Sequence, residues 1–330
     1  SKQELGKYTV KIFGGYLMNE KELALTPAIK LRDLIQSKEI SPVEITKIYL
    51  HRRDKFDGPL NSYITVTADS ALDSAKFAED QLMKGNDLGL LHGIPISIKD
   101  TQMTKGVKTT SGTLIYKDRI AEADATIVDK VKKAGAIILG KTNTPELGLV
   151  GTCINKLGDQ GRNPWDITRT PGGSSGGAAA AVAAGLCSMA TGSDGGGSIR
   201  IPSNFCGIFG IKPTQGRVSA YNGSMSKSHN MFSQNGPLTR TVEDSALLLN
   251  VMAGPDEKDP ITYMLPPIDF KTILSKDVRG LKIAWSPDYG FASVEPEVLD
   301  VNYRAALHLE TLGCTVEEPK LNLYPPYDKY

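Results

Sequence analysis

A chain of 330 residues, 40% hydrophobic and 23% charged, is long enough for a large buried core and has the composition of an ordinary globular protein, which excludes a disordered or fibrous chain. A net charge of +1 without any dense run of lysine or arginine argues against a surface made for phosphate backbones, so no direct nucleic-acid partner is expected. The longest run of small apolar residues, Ala178 to Cys187, is about half of a membrane span, so no membrane partner is expected either.

The predicted elements follow in chain order. Residues 27 to 85 read as helices. Ser41-Pro42-Val43-Glu44 is a helix start, with serine at the cap, proline at the first helical position and glutamate three residues on from the cap. A further helix runs from about Asp69 to Lys84 and stops at Gly85. Strand and helix signals then alternate. Ile94 to Ile98 is a short strand, Ala125 to Ala134 a helix, and Ala136 to Leu139 a strand. Ala178 to Ala184 is helical by propensity, and Cys187 to Thr191 is a strand. Thr241 to Ala253 is an amphipathic helix with acidic residues in its first turn. Leu281 to Trp285 is a strand, Pro296 to Leu312 a helix and Cys314 to Val316 a strand. Gly254 to Pro267 and Pro319 to Tyr330 read as loops. Such alternation predicts an α/β fold: a mixed, mostly β-sheet core covered by helices on both faces. Lys130, Lys132 and Lys133 read as the solvated face of a helix.

The four cysteines, at 153, 187, 206 and 314, form no C-x-x-C pair. That spacing offers neither a zinc site nor a redox motif, and scattered thiols suit a reducing, cytoplasmic compartment.

Three patterns compete to carry chemistry. Gly135 to Thr142 spells a phosphate-binding loop, but its middle residues Ala136-Ile137-Ile138-Leu139 are apolar and form a strand, not a loop whose N–H groups converge on phosphate. Gly172-x-Ser174-x-Gly176 and Gly173-x-Ser175-x-Gly177 spell a nucleophile elbow. An elbow serine follows a strand and is served by a later histidine. Here the preceding segment, Asn163 to Pro171, is a proline-containing loop. Downstream there are only His229, in a polar loop, and His308, inside a helix.

The third pattern needs no histidine. It combines Lys99 at a strand end, the glycine-flanked pair Ser174-Ser175, and Ser198 after Asp194-Gly195-Gly196-Gly197. A serine hydroxyl attacks an amide only when a base takes its proton. Lysine serves as that base when neutral, and burial favours the neutral form. Lys99 follows Ile94, Ile96 and Ile98, which places its backbone at the end of a buried strand. Gly195, Gly196 and Gly197 can turn their N–H groups toward one oxygen, as an oxyanion hole requires. Ser198-Ile199-Arg200 then reads as a helix start.

These residues resemble the amidase signature family. The similarity runs from Gly172-Gly173-Ser174-Ser175-Gly176-Gly177 through Asp194-Gly195-Gly196-Gly197-Ser198-Ile199-Arg200 to Cys206-Gly207 and Lys212-Pro213-Thr214. His92-Gly93-Ile94-Pro95 before Lys99-Asp100, Gly140-Lys141-Thr142-Asn143, Asn163-Pro164-Trp165, Gly216-Arg217-Val218-Ser219 and Gly236-Pro237 before Thr241-Val242-Glu243-Asp244 are similar to the family in the same order. The resemblance implies an amidase that hydrolyses a linear carboxamide to a carboxylic acid and ammonia or amine through an acyl-serine. It implies Ser198 as nucleophile, Ser174 as bridging serine after a cis Gly173–Ser174 bond, and Lys99 as base. It also implies Gly195, Gly196 and Gly197 in the oxyanion hole, Gly148 in the substrate pocket, and no metal or organic cofactor.

The chain departs from the family pattern at Gly195, where threonine or isoleucine is usual. Family members also continue past the equivalent of Tyr330. The expected organisation is an N-terminal helical segment, residues 1–60, packed on a catalytic domain, residues 61–330, that lacks the usual C-terminal portion. The expected partners are a small-molecule amide and either a second copy or a chain that supplies that portion. An alternative function is the glutaminase component of a tRNA-dependent glutamyl/aspartyl amidotransferase. Ile201-Pro202 argues against it, since such components tend to carry Gln-Pro there.

Overall fold

Helices α1 (Glu20–Leu25), α2 (Ala28–Gln36) and α3 (Pro42–Leu60) follow a short antiparallel ladder of β1 (Val10–Lys11) and β2 (Leu17–Met18). This computed structural model describes residues 10–11, 17–223, 232–264, 266, 268–321 and 323. Both α1 and α3 start with a reciprocal capping box, Asn19 with Glu22 and Ser41 with Glu44. Strand β3 (Tyr63–Val66) interrupts the helical stretch expected over residues 27 to 85, and α4 (Ala68–Met83) resumes it. Four residues are too few for a periodic signal to stand out from the helical pattern around them.

The rest of the first unit comprises β4 (Pro95–Lys99), α5 (Thr126–Lys133), β5 (Ile137–Thr142), α6 (Gly176–Ala183), β6 (Met189–Asp194), α7 (Arg200–Cys206), β7 (Phe209–Gly210), β8 (Gln234–Thr239) and α8 (Val242–Met252). Six strands form one mixed sheet in the order β3-β5-β4-β6-β8-β7. β4 runs parallel to both β5 and β6, while the β3–β5, β6–β8 and β7–β8 pairs are antiparallel. The expected α/β class is therefore observed. Strand β8 escaped the sequence reading because Gly236-Pro237 looks like a turn. The glycine is required by close approach: a Cβ on it would stand 2.2 Å from the Ile211 carbonyl oxygen.

The core is one continuous cluster. Ile94, Ile96 and Ile98 of the β4 segment belong to it together with Ile45 and Ile48 of α3, Val128 and Val131 of α5, and Leu247 and Leu248 of α8. Helix α6 is buried from Gly176 to Val182, so its ends need internal partners. Its last carbonyls are met by two arginines: Arg240 Nη1 donates to Val182 O at 2.9 Å and Arg52 Nη2 to Ala184 O at 3.0 Å. These cations also suit the negative end of the helix dipole. The opposite end of α6 opens at Ser175, beside Lys99.

Asp244, read from sequence as a first-turn acid of its own helix, is fully buried and caps another one. Its carboxylate accepts from Ala28 N and Ile29 N of α2, each at 2.9 Å. Asp244→Ala is expected to lower unfolding free energy by about 2 kcal/mol, since a helix end loses its cap inside the core. Urea denaturation of the variant checks this. Lys130 also departs from expectation. It is half-buried, and its Nζ donates to Ala253 O at 2.9 Å and Gly254 O at 3.1 Å at the end of α8. Lys132 and Lys133 pair with Asp124 and Asp129.

The second unit runs from Thr272 to Tyr330, with α9 (Phe270–Ile273) crossing the boundary. It contains β9 (Lys282–Ala284), α10 (Pro296–Thr311) and β10 (Thr315–Glu317), with β9 and β10 paired in parallel. No helix among the described residues is long and apolar enough to cross a membrane.

Candidate active site

Lys99 ends β4, a strand buried at all five positions, and its side chain has no solvent exposure. Its Nζ lies 2.7 Å from Ser174 Oγ, 3.0 Å from Ser175 Oγ and 3.0 Å from Ser193 Oγ. Burial drives the proton affinity of the amine down from the usual lysine value of 10.5 to about 7, against the weaker opposing influence of Cys153 and Asp194. The positive end of α6 alongside works in the same direction.

Ser174 follows a cis peptide bond from Gly173, as the resemblance implied. The glycines around the serine pair are required by packing. A Cβ on Gly173 would stand 2.1 Å from Thr152 O, and one on Gly177 would stand 2.4 Å from Asn143 N. Only bare backbone fits between those two chains. Ser175 fixes the geometry further: its hydroxyl donates to Ser193 O at 3.3 Å, and its N–H donates to Ser198 O at 3.2 Å. The second of these bonds joins the two serine loops. The bonds of Lys99 reach Ser174, Ser175 and Ser193; Ser198, which is half-buried, is not among its direct partners.

Asp194 shapes the loop that carries Ser198. Its fully buried carboxylate accepts from Gly197 N at 2.7 Å, Ile199 N at 3.1 Å and Arg200 N at 3.3 Å, and from Arg200 Nε and Nη2 at 2.9 Å each. Burial alone would raise this carboxyl, but the bonds from Arg200 and from the three main-chain N–H groups hold it at about 2. These bonds bear on the main-chain donors of the loop. The Gly197 N–H is spent on Asp194, whereas those of Gly195, Gly196 and Ser198 have no partner among the described residues.

The three glycines differ in need. Gly197 has φ +112° and a Cβ there would meet Ile201 Cδ1 at 2.8 Å, while the nearest atom to a Cβ on Gly195 is at 3.6 Å and none lies within 4 Å of one on Gly196. Gly195→Ala is therefore expected to fold normally and Gly197→Ala to lose about 1–3 kcal/mol, measurable as a difference in thermal midpoint. The Cβ that the usual threonine or isoleucine would bring to position 195 meets only ordinary van der Waals contact.

Gly148 stands close by, with a Cβ on it 3.3 Å from Ser174 Oγ. Sequence reasoning missed Ser193. The available signal was period two: Thr191 and Ser193 alternate along β6 beside β4, on one face of the sheet. Gln102 was also missed; its Nε2 donates to Gly192 O at 3.0 Å, and its Oε1 accepts from Thr191 Oγ1 at 2.5 Å.

The rejected patterns resolve as argued. Lys141 lies in strand β5, fully buried, with its Nζ donating to Gln102 O and to Thr104 Oγ1, so it faces no phosphate loop. His308 is in α10 within the second unit, and His229 lies outside the described residues. His92 is a packed core residue: its Nδ1 accepts from Leu88 N at 3.1 Å, which leaves Nε2 to donate to Ala78 O at 2.8 Å. All four cysteines are buried and unpaired, and burial pushes the Cys153 thiol up to about 12. Among the described residues no group of three His, Cys, Asp or Glu side chains could hold a metal.

Known proteins share this arrangement of chain. The amidase family model matches residues 44–327. The sequence is similar to a component of the glutamyl-tRNA(Gln) amidotransferase of Moorella thermoacetica, 43% identical over 94% of this chain and 62% of the relative. It is also similar to an acylamidase of Rhodococcus erythropolis, 40% identical over 91% of this chain and 63% of the relative. The crystal structure of a bacterial aryl acylamidase of the amidase signature enzymes superposes with a TM-score of 0.87 at 35% identity, covering 92% of this chain and 63% of that one. The chain thus spans a little under two thirds of the length of these relatives. With the family model covering most of its length and the fold matching, this chain belongs to the amidase signature family.

Proposed function

We propose that the protein is a serine amidase that cleaves a linear carboxamide to a carboxylic acid and ammonia or amine. The observation that carries this reading is the fully buried Lys99 amine, 2.7 Å from Ser174 Oγ, whose titration burial lowers from 10.5 to about 7. A neutral amine has two N–H bonds and one lone pair. The Ser175 hydroxyl is committed to Ser193 O, so Lys99 donates to Ser175 Oγ, and its other N–H points at Ser193 Oγ. The lone pair is left for the Ser174 proton. Ser193 and Ser175 thereby aim the base.

In this reading Lys99 takes the proton of Ser174 as Ser174 takes that of Ser198. Ser198 Oγ attacks the amide carbonyl carbon, and the carbonyl oxygen gains the negative charge. The N–H groups of Gly195, Gly196 and Ser198 receive that charge. The C–N bond breaks as the proton returns from Lys99 through Ser174 to the leaving nitrogen. Water then attacks the acyl-serine by the same relay in reverse, which frees the acid. The Ser174–Ser198 contact needs to tighten when substrate binds, as catalytic hydrogen bonds of free enzymes commonly do.

The test is mass spectrometry after reaction with a sulfonyl fluoride: the expected result is one adduct on Ser198, and labelling elsewhere overturns the assignment. A second reading is the glutaminase component of an amidotransferase, favoured by the similarity to glutamyl-tRNA(Gln) amidotransferase chains. Ammonia released from glutamine only with a partner and charged tRNA present would establish it. Buried, unpaired thiols support a reducing cytoplasmic location.

A further inference from the structure

The segment that presents Gly148 to Ser174 continues across both serine loops. A Cβ on Gly148 meets Ser174 Oγ, one on Gly151 meets Ile201 Cδ1 at 3.8 Å, and one on Gly173 meets Thr152 O. Ile201 sits under this strip as a wedge. Its side chain lies 3.1 Å from a Cβ on Gly172 and 2.8 Å from one on Gly197, so it touches the loop of each serine. Leu149 and Val150, on the same strip, are 77% and 53% exposed.

The three segments that meet here are uncharged. Leu147 to Ile154, Thr170 to Ser175 and Gly195 to Ile199 contain no ionisable side chain except the inert Cys153 thiol. Asp194 and Arg200, which flank the Ser198 loop, are bonded to each other at 2.9 Å. An acyl group bearing an ammonium and a carboxylate would lose water against this wall without gaining a counter-ion. An alkyl or aryl group would gain by burial against leucine, valine and isoleucine.

We infer that the Leu147–Ile154 strip and Ile201 select an uncharged, apolar acyl group, so that a zwitterionic amide such as L-glutamine is a poor substrate. The inference rests on the amidase reading above and goes on to name its substrate class.

The experiment compares kcat/KM for hexanamide, acetamide and L-glutamine in the protein and in Leu149→Asp and Ile201→Asn variants. Hexanamide is expected to exceed both acetamide and glutamine by at least about 100-fold. The hexanamide-to-acetamide ratio is expected to fall about 10-fold in Leu149→Asp. That ratio is internal to each preparation, so partial unfolding of a variant does not move it, and the exposed position of Leu149 guards against loss of the fold at Ile201. Glutamine turned over as well as hexanamide, or a ratio unchanged by Leu149→Asp, overturns the inference. Failure of the amidase reading looks different: no amide is turned over, Ser198 takes no sulfonyl adduct, and the substrate class falls with it.

Discussion

Ser198→Ala is expected to lower amide hydrolysis on the order of 10⁴- to 10⁶-fold, the largest effect of any single substitution in the protein. The proposed nucleophile has no substitute within its loop, because its neighbours Gly195, Gly196, Gly197 and Ile199 carry no nucleophilic side chain. Its fold should survive. Ser198 is half-buried, and the loop is held by Asp194 through main-chain N–H groups and Arg200, none of which involves the Ser198 hydroxyl. Unfolding free energy should change by no more than about 0.5 kcal/mol. Retained hydrolysis in a cleanly folded variant would remove Ser198 from the reaction. Ser174→Ala is expected to be less damaging than Ser198→Ala, since water can replace a hydroxyl that only relays a proton. Equal loss at both positions would instead indicate that the relay acts as one unit.

Lys99→Ala should follow closely, at about 10²- to 10⁴-fold, the usual range for loss of a general base. The pH profile carries the sharper test. Only the neutral amine can accept a proton, and burial brings its titration from 10.5 down to about 7. Activity is therefore expected to be low and to rise roughly tenfold per pH unit below about 7, then to level off above it. A lysine with ordinary solvation would still be climbing at pH 9. A kcat/KM profile flat from pH 5 to 8 rules out Lys99 as the base, and a midpoint near 10 rules out a titration lowered by burial. The variant Lys99→Ala should lose the step at about 7 altogether, which separates proton transfer from a packing defect.

Legibility in the sequence varied by residue. Lys99 could be found because three isoleucines at alternate positions lead to it, and such a run ends in a buried strand. Ser174 and Ser198 stood out because their glycines are dense, and the structure gives the reason at Gly173 and Gly177, where chains approach within 2.1 and 2.4 Å of a Cβ position. Ser193 did not stand out, because period two puts it on one face with Thr191 but does not say that a lysine 94 residues earlier meets that face. Asp194 likewise looked like a flanking residue. Its five hydrogen bonds to Gly197, Ile199 and Arg200 depend on a turn whose shape the residue types only permit.

Local pattern was enough to establish the α/β class, the family, and the three side chains proposed to carry the reaction. Strand periodicity, glycine placement and motif order are all written in short stretches of chain. That the Gly197 N–H donates to a carboxylate within its own turn became visible only in three dimensions. The same holds for Asp244, which caps α2 from 215 residues away, and for Arg52 and Arg240, which close the buried end of α6. These are pairings between groups distant in sequence. They are fixed by the need to satisfy buried polar atoms once the core has closed, and no stretch of the chain encodes that need on its own.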